Sequence, residues 1–292
     1  MDEFEIVVQG RAVSGRQAGD PVGKPLVYFH GTPGSRLDVS FGDAVAADLG
    51  VRVISFDRPG YGRSAPAPYD LRSVARDAAA VADELGADRF AVFGWSGGGP
   101  FALAAAADLG ERVTGVGVAG TIAPPQEMPG AMDAFTDDDR AALALLPEQP
   151  ARAAEQFRAA NDEMLNGLLS VRDDPGTPWI DWMWGETDPD VVADPANRNA
   201  LRTLVREGLR QGPMGICWDN VAWGGPWGFE LGEVRQWVHL WHGQQDQMVV
   251  PSNGQWLRDH LPRAALAMVP REGHLVPMAH WPEILRTLLA TT

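Results

Sequence analysis

Residues 90–99 read Phe90-Ala91-Val92-Phe93-Gly94-Trp95-Ser96-Gly97-Gly98-Gly99, a short apolar run that ends abruptly on a serine set among glycines. Gly94-Trp95-Ser96-Gly97-Gly98 fits G-x-S-x-G, a pattern in which a strand turns sharply into a helix and presents a hydroxyl at the apex. At such an elbow the serine backbone is strained, and the positions two before and two after it approach other backbone too closely for a side chain. Gly94 and Gly98 meet that demand. Arg89 to Gly94 reads as a buried strand, and Pro100 to Leu109 as a helix with an alanine-rich face. In a chain with 33 glycines the bare pattern is weak; the strand before it and the helix after it single it out.

A serine nucleophile needs a base, and the base needs an orienting acid. Two downstream segments offer them where strands end. Val238-His239-Leu240-Trp241-His242-Gly243 is strand-like, and Asp246 follows in the loop before Val249-Val250-Pro251-Ser252, a helix signal. Ala265 to Val269 is strand-like again and runs into Arg271-Glu272-Gly273-His274-Leu275. Earlier, the apolar strand Pro25 to Phe29 leads into His30-Gly31-Thr32-Pro33-Gly34, a turn able to aim a backbone N–H at a developing oxyanion.

Together these residues resemble the α/β-hydrolase superfamily in its capped, serine-dependent branch. The resemblance rests on the His-Gly-x-Pro loop at 30–33, Asp57-Arg58-Pro59-Gly60-Tyr61-Gly62, the elbow, Trp241-His242-Gly243-x-x-Asp246, and Gly273-His274. The order Ser96, Asp246, His274 is the order that fold uses. The resemblance implies a mostly parallel central sheet flanked by helices, with a helical cap inserted between core strands. It also implies oxyanion donors in the backbone N–H groups of Thr32 and Gly97. Haloalkane dehalogenases and soluble epoxide hydrolases of this fold attack with an aspartate. A serine at position 96 instead directs the chemistry to carbonyl carbon and acyl transfer.

Composition sets outer bounds. The chain has 292 residues, 45% of them hydrophobic, enough for an ample core in one or two domains. The formal charge of −15 argues against a nucleic-acid partner, which demands basic surface. No apolar stretch approaches the length of a membrane span, and Met1-Asp2-Glu3-Phe4-Glu5 lacks the basic-then-apolar order of a signal peptide. Cys217 is alone, so a reducing compartment is the default, and a cytoplasmic monomer or homodimer is expected. No His-Glu-x-x-His or Cys/His cluster is present, so neither a metal nor a cofactor is expected.

Along the chain, Phe4 to Val8 and Arg11 to Gln17 read as an exposed antiparallel pair. From Pro25 the rhythm is α/β: strand 25–30, helix 37–49, strand 51–56, helix 71–85, strand 89–95, helix 97–109, strand 112–119. At Pro124-Pro125 it stops. Helical periodicity then dominates at 136–146, 150–171 and 195–211, and strand character returns near Arg235. The expected division is a core of 1–125 and 231–292 with a cap at 126–230, over the carboxyl ends of the strands, where α/β folds place ligands. The cap stretch holds 19 acidic residues against 8 arginines and no lysine, −11 of the net −15. A solvated acidic face explains this most simply, and it disfavours anionic substrates. Six of the eleven tryptophans fall there, at 179, 182, 184, 218, 223 and 227. Cap–core packing accounts for most, with one or two expected in an apolar pocket.

Among six histidines, His274 is the best base candidate; His30 and His242 read as structural, and His239, His260 and His280 as packed or surface residues. Asp219 competes with Asp246 as the acid, but Asp246 follows its strand directly. Asp57 and Arg58 read as architecture. Three functional readings follow. The first is a carboxylesterase-like serine hydrolase acting on neutral esters or lactones. The second is a prolyl-aminopeptidase-like enzyme, with carboxylates at Glu186-Thr187-Asp188 holding a substrate ammonium. Against it, Thr32 replaces a favoured glycine and the elbow lacks the Gly-Gly-Ser-Trp-Gly order. The third is a lyase, cyclase or ligand-binding member of the same fold.

Overall fold

A computed structural model of the chain describes residues 2–174 and 178–290. The termini of the expected core at residues 1 and 292, and positions 175–177 of the expected cap, lie outside the described residues.

The strands are β1 (Asp2–Val8), β2 (Arg11–Gly19), β3 (Lys24–Phe29), β4 (Val51–Phe56), β5 (Phe90–Trp95), β6 (Val113–Ala119), β7 (Val238–Gly243) and β8 (Ala264–Val269). They form one sheet in the order β1-β2-β4-β3-β5-β6-β7-β8. β1 and β2 make the antiparallel hairpin, β2 pairs antiparallel with β4, and every pair from β4 to β8 is parallel. The helices are α1 (Asp43–Asp48), α2 (Leu71–Glu84), α3 (Gly99–Leu109), α4 (Asp137–Leu143), α5 (Pro150–Ala160), α6 (Asp162–Asp173), α7 (Trp179–Trp184), α8 (Pro189–Ala193), α9 (Pro195–Gly208), α10 (Met214–Gly224), α11 (Ser252–His260) and α12 (Val276–Ala290).

The central strands lack apolar–polar alternation because both their faces are buried. In β3, Val27 and Phe29 join a core layer with α2, α3 and α11, while Leu26 and Tyr28 join the opposite layer with α1 and α12. Period-two side chains thus feed two cores, each fully buried aliphatic side chain contributing ~1.5–3 kcal/mol. α3 is alanine-rich because it is pressed between the sheet and α2, with Ala102, Ala104, Ala105 and Ala106 wholly buried. α2 starts where its capping box stands, the Asp70 carboxylate accepting from the Ser73 N–H.

Helices α4 to α10 all lie between β6 and β7, so the helical insertion is present. Its details depart from expectation. The predicted helix 150–171 is two helices, broken at Asn161, whose side-chain amide donates to Asp139 and to the Phe157 carbonyl. The predicted helix 37–49 begins as a 3₁₀ turn, Asp38–Gly42, because the Asp38 side chain is bound to the preceding loop. α7, α8 and α10 were not legible as helices: two are very short, and the third mixes tryptophans with terminal glycines. Asp219, the competing acid candidate, sits within α10. No helix among the described residues is long and apolar enough to cross a membrane.

Candidate active site

β5 delivers Ser96 at its carboxyl end with φ of 55°, the left-handed conformation an elbow requires. The surrounding glycines are obligatory for steric reasons. A Cβ on Gly94 would lie 2.5 Å from the Gly98 carbonyl oxygen, and one on Gly98 would lie 2.2 Å from that of Phe29. The Ser96 carbonyl accepts the Thr121 hydroxyl at 2.9 Å, which fixes the far side of the turn.

The loop after β3 is held from three directions. Asp38 accepts the N–H groups of Gly31 (3.0 Å) and Ser35 (2.9 Å). The Arg58 guanidinium donates to the carbonyls of His30 and Gly31 at 2.6 and 2.9 Å. The Thr32 hydroxyl donates to Asp219 at 2.5 Å. Thr32 and Gly97 are neighbours: a Cβ on Gly97 would stand 2.3 Å from Thr32 Oγ1. His30 is structural, its Nδ1 on the Gly31 carbonyl and its Nε2 accepting the Arg58 N–H. Burial and the Arg58 charge hold it well below the usual imidazole range, so it stays neutral.

Downstream of β7, Asp246 Oδ1 accepts the N–H groups of Met248 and Val249, both at 2.9 Å, and Oδ2 lies 2.8 Å from His274 Nδ1. Burial opposes ionisation of this carboxyl. The His274 hydrogen bond and charge and the Val249 N–H outweigh it, leaving Asp246 below its ordinary value. With Asp246 ionised, Nδ1 carries the proton and Nε2 is left as the basic nitrogen. His242 lies behind the acid, its Nε2 on the Val249 carbonyl at 2.7 Å, and burial keeps it neutral. Gly120, beyond β6, passes close to the pair: a Cβ there would lie 3.2 Å from His274 Nδ1 and 3.3 Å from Asp246 Oδ2. The Trp95 indole donates to the His274 carbonyl at 3.0 Å.

Ser96, His274, Gly31 and Thr32 open into one cavity with about 80 Å³ of room for the centres of water-sized molecules. The insertion supplies half of its lining residues: Leu168 and Val171 from α6, Trp179, Met183 and Trp184 from α7, Leu204 and Val205 from α9. Met248, Pro33 and Trp95 complete it. Two of the six tryptophans therefore line the pocket, while Trp223 and Trp227 pack toward the α2–α3 side of the core and Trp218 touches both core layers.

Two carboxylates weighed as alternatives in the sequence have other partners here. The carboxylate on His274 Nδ1 is that of Asp246; Asp219 is fully buried and binds Arg58 bidentately (2.8 and 2.6 Å), both Tyr61 and Tyr69 hydroxyls (2.7 Å each), and Thr32. Asp188 is not open to a substrate ammonium. It is 1% exposed, and its oxygens accept the N–H groups of Gly273, His274 and Leu275 and the Thr187 hydroxyl. Asp57 is architectural as expected, clamping Arg36 and the Arg63 N–H. Cys217 is buried, which pushes its thiol up to about 11 and makes it a poor nucleophile. Among the described residues, no group of three or more His, Cys, Asp or Glu is placed to hold a metal ion. Gly120, Asp38 and Trp95 escaped sequence reading as site neighbours. The position of Gly120 at a strand's carboxyl end was the one available signal.

The chain belongs to the alpha/beta hydrolase fold family, which matches residues 24–280. It is 28% identical over 267 residues to the pimeloyl-[acyl-carrier protein] methyl ester esterase of Nitrosomonas europaea, covering 89% of this chain and 92% of that one. It is 29% identical over 183 residues to the proline iminopeptidase of Neisseria gonorrhoeae, covering 57% of this chain and 56% of that one. Among solved structures, the bromoperoxidase of Bacillus anthracis superposes with a TM-score of 0.70 at 19% identity, over 96% of this chain and 95% of that one.

Proposed function

We propose that this protein is a serine hydrolase cleaving carboxylic esters, lactones included, of small to medium neutral substrates. In this reading Ser96 attacks the carbonyl carbon while His274 Nε2 takes its proton, and Asp246 holds the ring and balances the imidazolium. The N–H groups of Thr32 and Gly97 receive the oxyanion, each worth ~3 kcal/mol of barrier lowering. His274 then protonates the leaving alcohol, and water repeats the sequence to release the acid. Residues 126–230 serve as the cap that shapes the acyl pocket.

The observation that carries the reading is the cavity wall. Among the described residues lining it, only His274 is ionisable, and the rest of the insertion side is aliphatic, aromatic or thioether. An aminopeptidase must hold a charged ammonium beside the scissile bond, and a buried charge without a partner is expensive. No carboxylate among the described residues lines this cavity, and Asp188 is committed to the loop that carries His274. The similarity to a methyl ester esterase, over 89% of this chain and 92% of that one, supports the same choice.

The deciding experiment pairs p-nitrophenyl butyrate and a γ-lactone with proline β-naphthylamide, alongside fluorophosphonate labelling of Ser96. Ester or lactone turnover at least 100-fold above the amide supports the proposal. Faster amide cleavage makes the chain a peptidase. Prompt labelling without hydrolysis of any of the three assigns it to the non-hydrolytic reading.

A further inference from the structure

Asp188 is contributed by the insertion, immediately before α8, and its backbone bonds Trp184 and Val192 there, yet every hydrogen bond its carboxylate accepts comes from the loop that carries His274 or from its own neighbour Thr187. Oδ1 accepts the N–H groups of Gly273 (2.9 Å) and Leu275 (3.2 Å), and Oδ2 accepts that of His274 (3.1 Å) and the Thr187 hydroxyl (2.8 Å). Three consecutive amides converging on one carboxylate form an anion-binding concavity, and the bonds are charge-assisted. The site is closed on both sides. A Cβ on Gly273 would lie 2.3 Å from Asp188 Oδ2 and 2.6 Å from Thr187 Cβ, so this glycine is needed for the approach. No arginine or lysine bonds Asp188 among the described residues; three backbone N–H groups and one hydroxyl satisfy it.

We infer that Asp188 is a positioning residue for His274, so that the insertion forms part of the catalytic machinery as well as its cover. The inference rests on the reading of His274 as the base. Binding the amides on both sides of residue 274 fixes the torsions that aim its side chain. The Trp95 indole holds the carbonyl of the same residue, and Asp246 holds Nδ1. Releasing the amides lets the ring drift from Asp246, and a displacement of ~1 Å costs about 10²-fold in rate. Asparagine at 188 keeps the size but has one acceptor atom, and its NH₂ group faces an N–H that needs an acceptor.

The test compares Asp188→Asn, Gly273→Ala and Thr187→Val, each measured as turnover per fluorophosphonate-titrated site. Asp188→Asn and Gly273→Ala attack the same contact from opposite sides. Both are expected to lose about 10²-fold in kcat with KM nearly unchanged, and to move the acidic limb of the pH profile downward as His274 loses its carboxylate partner. Thr187→Val removes only the hydroxyl and is expected to stay within threefold of the parent. Imidazole titration by NMR supplies a readout independent of substrate, and His274 is expected to titrate lower in the first two variants. If the ester reading fails while that titration still moves, the positioning role stands without it. If the parent hydrolyses esters but both variants keep kcat within threefold and an unmoved titration, Asp188 does not position the base. If neither variant folds, Asp188 is a purely structural residue and the inference is overturned.

Discussion

Asp219 accepts the hydroxyl of Thr32 at 2.5 Å across 187 residues of sequence, joining a helix of the insertion to the loop proposed to bind the oxyanion. The same carboxylate forms a buried bidentate pair with Arg58, whose other donors grip the carbonyls of His30 and Gly31. Asp219 therefore shapes the site from behind, while Asp246 acts on the histidine directly. The two aspartates have separable consequences.

Replacing Asp219 by asparagine leaves the Arg58 guanidinium buried beside a neutral amide, a change that costs ~3–5 kcal/mol when a buried pair is broken. Replacing Asp246 by asparagine removes the acceptor that fixes the His274 tautomer, an effect of order 10⁴-fold in kcat in a triad of this geometry. Chemical denaturation together with ester kinetics on both variants separates them. The expected pattern is a large loss of stability for Asp219→Asn and a large loss of turnover per folded molecule for Asp246→Asn. The reverse pattern would mean the acid has migrated to α10.

Ser96→Ala is expected to fold like the parent and to lose turnover. The backbone strain at φ of 55° is unchanged by removing a hydroxyl, and that hydroxyl faces the cavity rather than the core. A variant with more than a tenth of parental ester turnover places the chemistry elsewhere. Gly98→Ala is the contrasting case: its Cβ falls 2.2 Å from the Phe29 carbonyl oxygen, so β3 and the elbow must separate and the protein is expected to be destabilised.

How much of this was readable from the sequence follows from the range of the interactions involved. The elbow was legible because its constraint is local: five residues carry the strain and the glycines that permit it. Asp246 and His274 were legible because each follows a strand end closely. The roles of Asp188 and Asp219 were not, because an aspartate in an acidic helical stretch reads the same whether it is solvated or buried. The contacts that distinguish them lie 85 to 87 and 161 residues away. The break at Asn161 was hidden for a similar reason, since Asp139, on another helix, holds the side chain that marks it. Trp179 and Trp184 could not be told from the other tryptophans until the fold set α7 over the cavity.

Asp38 carries a pH signature. Burial raises its carboxyl to about 8, against the smaller opposing pull of the Ser35 and Gly31 N–H groups. The folded protein thus binds one proton more than the unfolded chain between the ordinary carboxylate range and pH ~8. The stability it contributes is fully present below pH ~4 and is lost as pH rises through ~8, with a slope of about 1.4 kcal/mol per pH unit between. Asparagine at 38 has no such proton and contributes no slope. Guanidinium unfolding at pH 5, 6, 7 and 8 is expected to show the parent losing stability with rising pH faster than Asp38→Asn by that amount. Parallel curves for the two proteins would show that Asp38 is ionised throughout.

The cavity fixes the last expectation, which concerns the acyl group. Its room is small, about 80 Å³, and its insertion side is built by apolar side chains from α6, α7 and α9. Compact apolar acyl groups gain burial there, whereas a long chain must displace Trp179, Trp184 or Leu204 from a packed wall. A series of p-nitrophenyl esters is therefore expected to peak at short chains, about two to four carbons by the ~0.8 kcal/mol gained per buried CH₂ and the space available. Leu168 is the wall residue best suited to widening, because it is only partly buried and its truncation costs less than the 2–5 kcal/mol of a core leucine. Leu168→Ala is expected to move the optimum toward longer chains with little loss on the shortest ester. The acidic insertion adds an electrostatic penalty for anionic esters, one that added salt should relieve. A parental optimum at long chains, or one that Leu168→Ala leaves in place, would show that the acyl group binds outside this cavity.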